Sequence, residues 1–363
     1  MKSHFDPCLY HDANNNLLLL LYVDDVLLAC SSRERLDTIS RTMAEKFKVS
    51  SMGEIDTYLG IKIEREGRNC AIHLSQEKYI EKIGTKFDIR ADGRTDTPLQ
   101  TNWYINHEEE LQNQSSDDEE YVKGFPYREM IGTLLFLAIC TRLDIAYAVG
   151  YLSRYLSKPV KSTCNAAVRV VKFVLNTKHW RLSLGGCKKP YIRAYCDSDW
   201  AQCVDTRRST SSMQIYFGNG CIMWSSHRQN RVTNSSAEAE FLVLTPCAQD
   251  IIWLRGLLRE LGRSFRYATT IFCDNEAARA IVENPVHHKR TKMISVKEKF
   301  ISETTEAGIT NVTWIPSASN RADLGSKPLN SILYTTFAKQ SLSGQELHVP
   351  INLVLTKAGG VWA

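Results

Sequence analysis

Four acidic side chains, far apart in the chain, stand where a sheet-based site would need them. Asp197 ends a predicted strand and Glu240 lies on a long predicted helix. Asp274 ends a second strand, and Asp323 follows a third and opens a helix after Pro316 and Asn320. Open α/β sheets bind ligands outside the carboxyl ends of their strands. Hard divalent cations take oxygen ligands, and Mg²⁺ binds through a few carboxylates plus substrate phosphates. Two such ions about 3.5–4 Å apart can flank a phosphodiester, one beside the attacking water and one beside the leaving oxygen. Four carboxylates are the right inventory for that chemistry. A plainer reading competes: acids also cap helices, and the chain has 40 of them, so spacing alone leaves both open.

The elements that must hold these acids fall within residues 187–330. A strand is predicted over 192–196, and a hairpin over 213–217 and 221–224 turns at Gly218-Asn219-Gly220. Ser235 caps a helix reaching about position 261. A strand over 270–273, helices over 276–283 and 295–307, and a strand over 311–315 complete the unit. Upstream, residues 1–90 predict two apolar strands across an Asp24-Asp25 turn, a helix capped by Ser32, a hairpin around Gly67, and a helix after Ser75. Residues 91–125 are rich in acids and read as a solvated linker. Residues 126–186 read as helical, and 331–363 as a tail without legible chemistry.

At 363 residues, 43% hydrophobic and 23% charged, the chain is long enough for two or three domains with real cores. The apolar run from Leu17 to Val23 is too short for a membrane span of about 20 residues and ends at Asp24. Residues 1–7 lack a signal-peptide stretch, so an intracellular, non-secreted chain without a membrane partner is expected. Eleven cysteines form no Cys-x-x-Cys pair, which excludes zinc ribbons and thioredoxin-like redox motifs. Most are expected to be buried free thiols. The net charge of +5 is uneven. Residues 1–185 hold 24 Lys+Arg against 25 Asp+Glu, whereas 186–363 hold 21 against 15, so the later half is the one suited to a polyanion.

The words around the acids carry more information than their spacing. Tyr195-Cys196-Asp197-Ser198-Asp199-Trp200-Ala201, with Asp205-Thr206-Arg207-Arg208-Ser209-Thr210-Ser211, closely resembles the ribonuclease H domain of copia-type LTR retrotransposon polyproteins. So do Ser235-Ser236-Ala237-Glu238-Ala239-Glu240-Phe241, Cys273-Asp274-Asn275-Glu276-Ala277, and Arg321-Ala322-Asp323 with Lys327-Pro328-Leu329. Upstream, Tyr22-Val23-Asp24-Asp25 is similar to the reverse transcriptase palm motif. Leu59-Gly60-Ile61, Leu74-Ser75-Gln76-Glu77-Lys78-Tyr79-Ile80 and Thr141-Arg142-Leu143-Asp144-Ile145 resemble the stretches that follow it. The series runs in order over about residues 6–330.

The resemblance implies an α/β chain: a ribonuclease H-like mixed sheet flanked by helices, preceded by a partial reverse transcriptase palm and a helical thumb or connection region. It implies that Asp197, Glu240, Asp274 and Asp323 hold Mg²⁺, or Mn²⁺, and hydrolyse the RNA strand of an RNA–DNA hybrid. Glu240 is preferred over Glu238 because it precedes an aromatic residue, and Asp197 over Asp199 as first ligand. Asp24 and Asp25 fall on the polymerase metal pair. An earlier palm Asp and the fingers have no counterpart among the 23 residues before Asp24, so polymerisation by this chain alone is not expected. The upstream part of the polyprotein is an expected partner, and cytoplasm or nucleus the expected location. The family's Arg-Thr-Lys-His-Ile-Asp reads Arg290-Thr291-Lys292-Met293-Ile294-Ser295, and a later His is replaced around Lys299. Thr-Arg-Pro-Asp has Leu143 for Pro, and Leu-Thr-Lys-Pro-Leu reads Leu324-Gly325-Ser326-Lys327-Pro328-Leu329. These departures keep an alternative open, a non-catalytic nucleic-acid-binding or decayed remnant.

Backbone contacts to nucleic acid are expected from Arg207, Arg208, Arg228 and Arg231 near the site, and from Lys289, Arg290 and Lys292 in a second cluster. Trp200, Trp224, Trp253 and Trp314 are expected to pack in the core. Residues 1–90 are expected to be the least stable part.

Overall fold

A computed structural model describes residues 1–12, 16–47, 49–66, 71–187, 190–276 and 292–343. Three sheets follow in chain order. The first is an antiparallel meander of β1 (Leu9–Asp12), β2 (Leu17–Tyr22) and β3 (Asp25–Cys30). Tyr22 pairs with Asp25, so Val23 and Asp24 form the tip, and Val23 takes a positive φ of 52°. Helix α1 (Arg33–Lys46) follows, and the Ser32 hydroxyl caps it by accepting from the Arg35 N–H at 3.3 Å. Leu36, Ile39 and Met43 line one face of α1, yet α1 has no buried residue.

The second sheet joins β4 (Thr57–Tyr58), β5 (Ile61–Arg65) and β6 (Ile72–Ser75) to β7 (Leu182–Leu184). β6 and β7 pair Leu74 with Leu182, which closes the whole helical region between them. That region holds α2 (Glu77–Lys86), α3 (His107–Gln112), α4 (Ser116–Gly124), α5 (Tyr127–Cys140), α6 (Ala146–Leu152) and α7 (Lys161–Asn176). The acidic stretch 91–125 is therefore not a bare linker. Its carboxylates lie on the outer sides of α3 and α4, while Leu99 and Ile105 are buried. Lys161 on α7 holds Asp118 at 2.6 Å, and the Ser162 hydroxyl donates to Glu110.

The third sheet has the order β10-β9-β8-β11-β12. Its strands are β8 (Ile192–Ser198), β9 (Thr210–Phe217), β10 (Gly220–Arg228), β11 (Thr269–Cys273) and β12 (Thr310–Trp314). β10, β9 and β8 are antiparallel, whereas β8, β11 and β12 are parallel. Every residue of β8 is buried, as expected of a strand covered on both faces. On one face Ala194, Cys196, Ile215 and Ile271 pack against Phe241, Leu244 and Ile251 of α8 (Ser236–Glu260). On the other, Tyr195 and Tyr216 join the core of α5, α6 and α7. α8 is long and apolar enough to cross a membrane by length and composition, but 11 of its residues are buried here. Helix α9 (Lys292–Glu306) precedes β12, and α10 (Ser331–Ser343) closes the described chain. The tail expected after position 330 thus begins as a core helix, with Tyr334, Phe337 and Leu342 buried. The helix expected over 276–283 lies outside the described residues except Glu276.

One buried ion pair ties these parts together. Arg142 grips both carboxylate oxygens of Asp144 at 2.8 Å, and also donates to the Thr177 carbonyl and hydroxyl. Its guanidinium lies over Phe173 and Trp180, and the Tyr334 hydroxyl donates to Asp144 from α10. The Thr141-Arg142-Leu143-Asp144 stretch is therefore a structural lock. Six of the ten described cysteines are buried.

Candidate active site

Strand geometry brings the acids together. Asp197 is the penultimate residue of β8, and Asp274 follows β11, its parallel neighbour. Asp323 sits on a short 3₁₀ turn, Arg321–Gly325. The Asn320 side chain caps that turn by accepting from the Ala322 N–H at 3.2 Å. The same side chain donates to the Cys196 carbonyl at 2.9 Å and to Asp274 Oδ1 at 3.3 Å, so one residue binds the turn to both central strands. Carboxylate oxygens of Asp197, Asp274 and Asp323 lie within 4.8 Å of one another, with Asp197 and Asp323 buried and Asp274 half-buried.

Glu240 adjoins this trio from α8. Its Oε1 accepts from the Ser198 N–H at 3.1 Å, and its buried Oε2 has no hydrogen-bond partner. Burial, then the charges of Asp197 and Asp274, push its carboxyl well above the usual range. Burial and Asp197 likewise raise Asp323 to about 8. Crowded acids that resist ionisation, with an orphaned oxygen among them, are what a divalent cation would relieve. The residues present fit such a group.

Glu238, the rejected alternative, has a different task. It accepts from the Asn234 N–H at 2.8 Å while Ser235 caps its own N–H, a reciprocal cap at the start of α8. Arg231 pairs with Glu238 at 3.2 Å. Asp199 is buried beside the trio, accepts from the Thr210 N–H, and is raised to about 7 mainly by burial.

Asp24 and Asp25 are not brought into this cluster. Both are exposed at the tip of the first sheet, and among the described residues the metal-capable group is Asp197, Asp274 and Asp323. Of the basic residues, Arg207 is exposed and Arg208 half-exposed on the loop after β8. Arg228 reaches Cys203 Sγ at 4.0 Å. Lys289 and Arg290 lie outside the described residues, as does the side chain of Lys292.

The tryptophans correct the core-packing expectation. Trp200 is 51% exposed, Trp314 43% and Trp253 36%. Trp224 alone of the four is tucked in, donating to the Ala138 carbonyl at 2.8 Å. Trp200 follows Asp199 and donates to the Thr233 carbonyl at 3.3 Å, and Trp314 donates to the Asp274 carbonyl at 3.2 Å. Sequence reading also passed over Ser317, whose hydroxyl holds Asp274 Oδ2 at 2.6 Å, and Ser326, which donates to Asp197 Oδ2. Lys327 stands among the acids, 3.0 Å from Asp323 Oδ1 and 3.6 Å from Asp197 Oδ2. The quoted Lys327-Pro328-Leu329 word was the signal for it.

A mixed sheet with three antiparallel and three parallel members sharing β8, and acids at the ends of its two central strands, is a ribonuclease H-like α/β fold. Residues 5–101 match the family model "Reverse transcriptase (RNA-dependent DNA polymerase)". The chain is 31% identical over 330 residues to the retrovirus-related Pol polyprotein from transposon TNT 1-94 of Nicotiana tabacum, covering 90% of this chain and 24% of that protein. It is 32% identical over 237 residues to the uncharacterized mitochondrial protein AtMg00810 of Arabidopsis thaliana, covering 65% of this chain and 94% of that one. A foamy viral protease-reverse transcriptase in complex with RNA/DNA hybrid aligns over 82% of this chain and 36% of its own, at 14% identity and a TM-score of 0.46. The chain belongs to the copia-type retrotransposon polyprotein family, and spans about a quarter of the length of the Pol polyproteins it matches.

Proposed function

We propose that this chain hydrolyses the RNA strand of RNA–DNA hybrids at the Asp197, Glu240, Asp274 and Asp323 cluster, using Mg²⁺ or Mn²⁺. The observation that carries the reading is the convergence of three aspartate carboxylates within 4.8 Å, two at the ends of neighbouring parallel strands and the third on the turn Arg321–Gly325. Bound divalent ions would polarise the phosphoryl oxygen and lower the pKa of the attacking water. Asp197, Glu240 and Asp274 would hold one ion, and Asp323 would complete the site of the second. Asn320 and Ser317 orient Asp274, and Ser326 orients Asp197, so the ligands are held before any ion arrives.

Arg207 and Arg208 would contact the phosphate backbone, with Arg228 and Arg231 behind them. The exposed rings of Trp200, next to Asp199, and of Trp314, bonded to the Asp274 carbonyl, would supply stacking surfaces. The reverse transcriptase segment, whose Asp24 and Asp25 belong to no metal-capable group among the described residues, would not polymerise alone. The chain would act in the cytoplasm or nucleus.

The test is cleavage of a labelled RNA–DNA hybrid by the purified chain with Mg²⁺ or Mn²⁺, against Asp197→Asn. Loss of cleavage in the variant is expected. Equal activity in the two proteins would refute the assignment, and primer extension on an RNA template would refute the polymerase half.

A further inference from the structure

Lys327 is the group that the hydrolytic reading leaves unused. It stands four residues after Asp323, just beyond the turn, and Pro328 fixes the backbone after it. Its side chain is only 28% exposed. The ammonium shares Asp197 Oδ2 with the Ser326 hydroxyl and sits on Asp323 Oδ1. Four acids crowd this spot, and burying like charges together is costly unless a cation joins them. Lys327 is a compact point charge on a flexible four-carbon stem, able both to fill the cluster and to leave it.

We propose that Lys327 is the resident counter-cation of the carboxylate cluster, and that a divalent ion binds by displacing its ammonium from Asp197 and Asp323. This rests on the reading of the cluster as a divalent-cation site. An ion taking those oxygens must take them from Lys327, because two cations cannot share them without strong repulsion. The lysine thereby lowers the affinity for the metal while holding the empty cluster together.

Two measurements on the full chain decide the matter. In calorimetric titration with Mn²⁺, Lys327→Gln is expected to bind about tenfold more tightly than the parent, the scale of one lost charge-assisted hydrogen bond. Lys327→Arg, which keeps the charge, should stay near the parent value. Equal or weaker binding by Lys327→Gln overturns the inference and leaves the metal site standing. Absence of Mn²⁺ binding in the parent and in Lys327→Gln overturns the metal-site reading and this inference with it. The second measurement needs no variant: acylation of Lys327 in the parent chain, read by peptide mass spectrometry. Labelling should rise several-fold when Mn²⁺ is added, and unchanged protection would overturn the displacement.

Discussion

Two acidic sites stand at strand ends in this chain, and they differ in what surrounds them. Asp24 and Asp25 join β2 and β3, which are at best half-buried, next to a helix with no buried residue. Asp197 ends a strand buried at every position, between α8 on one face and the helical region on the other. Among the described residues, the buried apolar core begins at Ile80. The first sheet is tied down by polar contacts at its edge, where Ser3 donates to Glu260 at 2.5 Å and Trp253 donates to the Phe5 carbonyl at 3.0 Å. The close fit of the Phe5 ring on Gly256 adds one apolar contact, which any Cβ at that position would obstruct. Similar words in a sequence can therefore meet opposite fates. A carboxylate becomes part of a crowded site only where buried strands fix it against its neighbours.

The contrast can be broken most forcefully at the structural lock. Asp144→Ala leaves Arg142 buried and unpaired, so a loss of about 3–5 kcal/mol in unfolding stability is expected. Ile39→Ala on α1 should change stability by no more than about 0.5 kcal/mol. Denaturant titration of both variants checks the pair, and comparable losses would erase the distinction between the two regions.

Local stability gives the next test. Limited proteolysis should cut within residues 1–66 at least roughly tenfold faster than within 190–276. Early cleavage within the third sheet would contradict the ranking of the two regions.

The acids should also oppose the folded state when no metal is present. Asp323 is raised from 3.8 to about 8, so the native chain binds more protons than the unfolded one between those values. Its contribution is therefore complete below pH 3.8 and lost as pH rises toward 8. In chelator, Asp323→Asn should melt above the parent at pH 8, by about 1–2 kcal/mol in stability, and the gap should close near pH 4. A pH-independent difference would argue against crowding as its cause.

The smallest effect is expected at the rim. Trp314→Ala should weaken hybrid binding about fivefold, the low end for one stacked base. Fluorescence anisotropy with a labelled hybrid reads this, and unchanged affinity would return Trp314 to a packing role.

Much of this arrangement is legible in the residue order. Strand ends placed Asp197 and Asp274, the Ser235 cap placed the helix of Glu240, and Asn320 marked the turn of Asp323. The order of the sheet was not legible from alternation, because β8 is buried on both faces and shows no period of two. Ser326 and Ser317 escaped notice for another reason: their carboxylate partners lie 129 and 43 positions away, and no local pattern encodes such contacts. The tryptophans were misjudged because Trp200 and Trp314 sit where strands finish, where each ring stays about half exposed. In 91–125 the abundant acids report only the outer surface, while a few residues such as Leu99 and Ile105 do the docking.

The central claim is that chemistry resides in the cluster of the third sheet and not at the tip of the first. Cleavage of an RNA–DNA hybrid by the purified chain, with Asp274→Asn and Asp25→Asn side by side, tests it most directly. Asp274→Asn should lower the rate by roughly 10²–10³-fold, as removal of one transition-state-stabilising group does, while Asp25→Asn stays near the parent. Equal rates for Asp274→Asn and the parent, or a collapse in Asp25→Asn, would contradict the account.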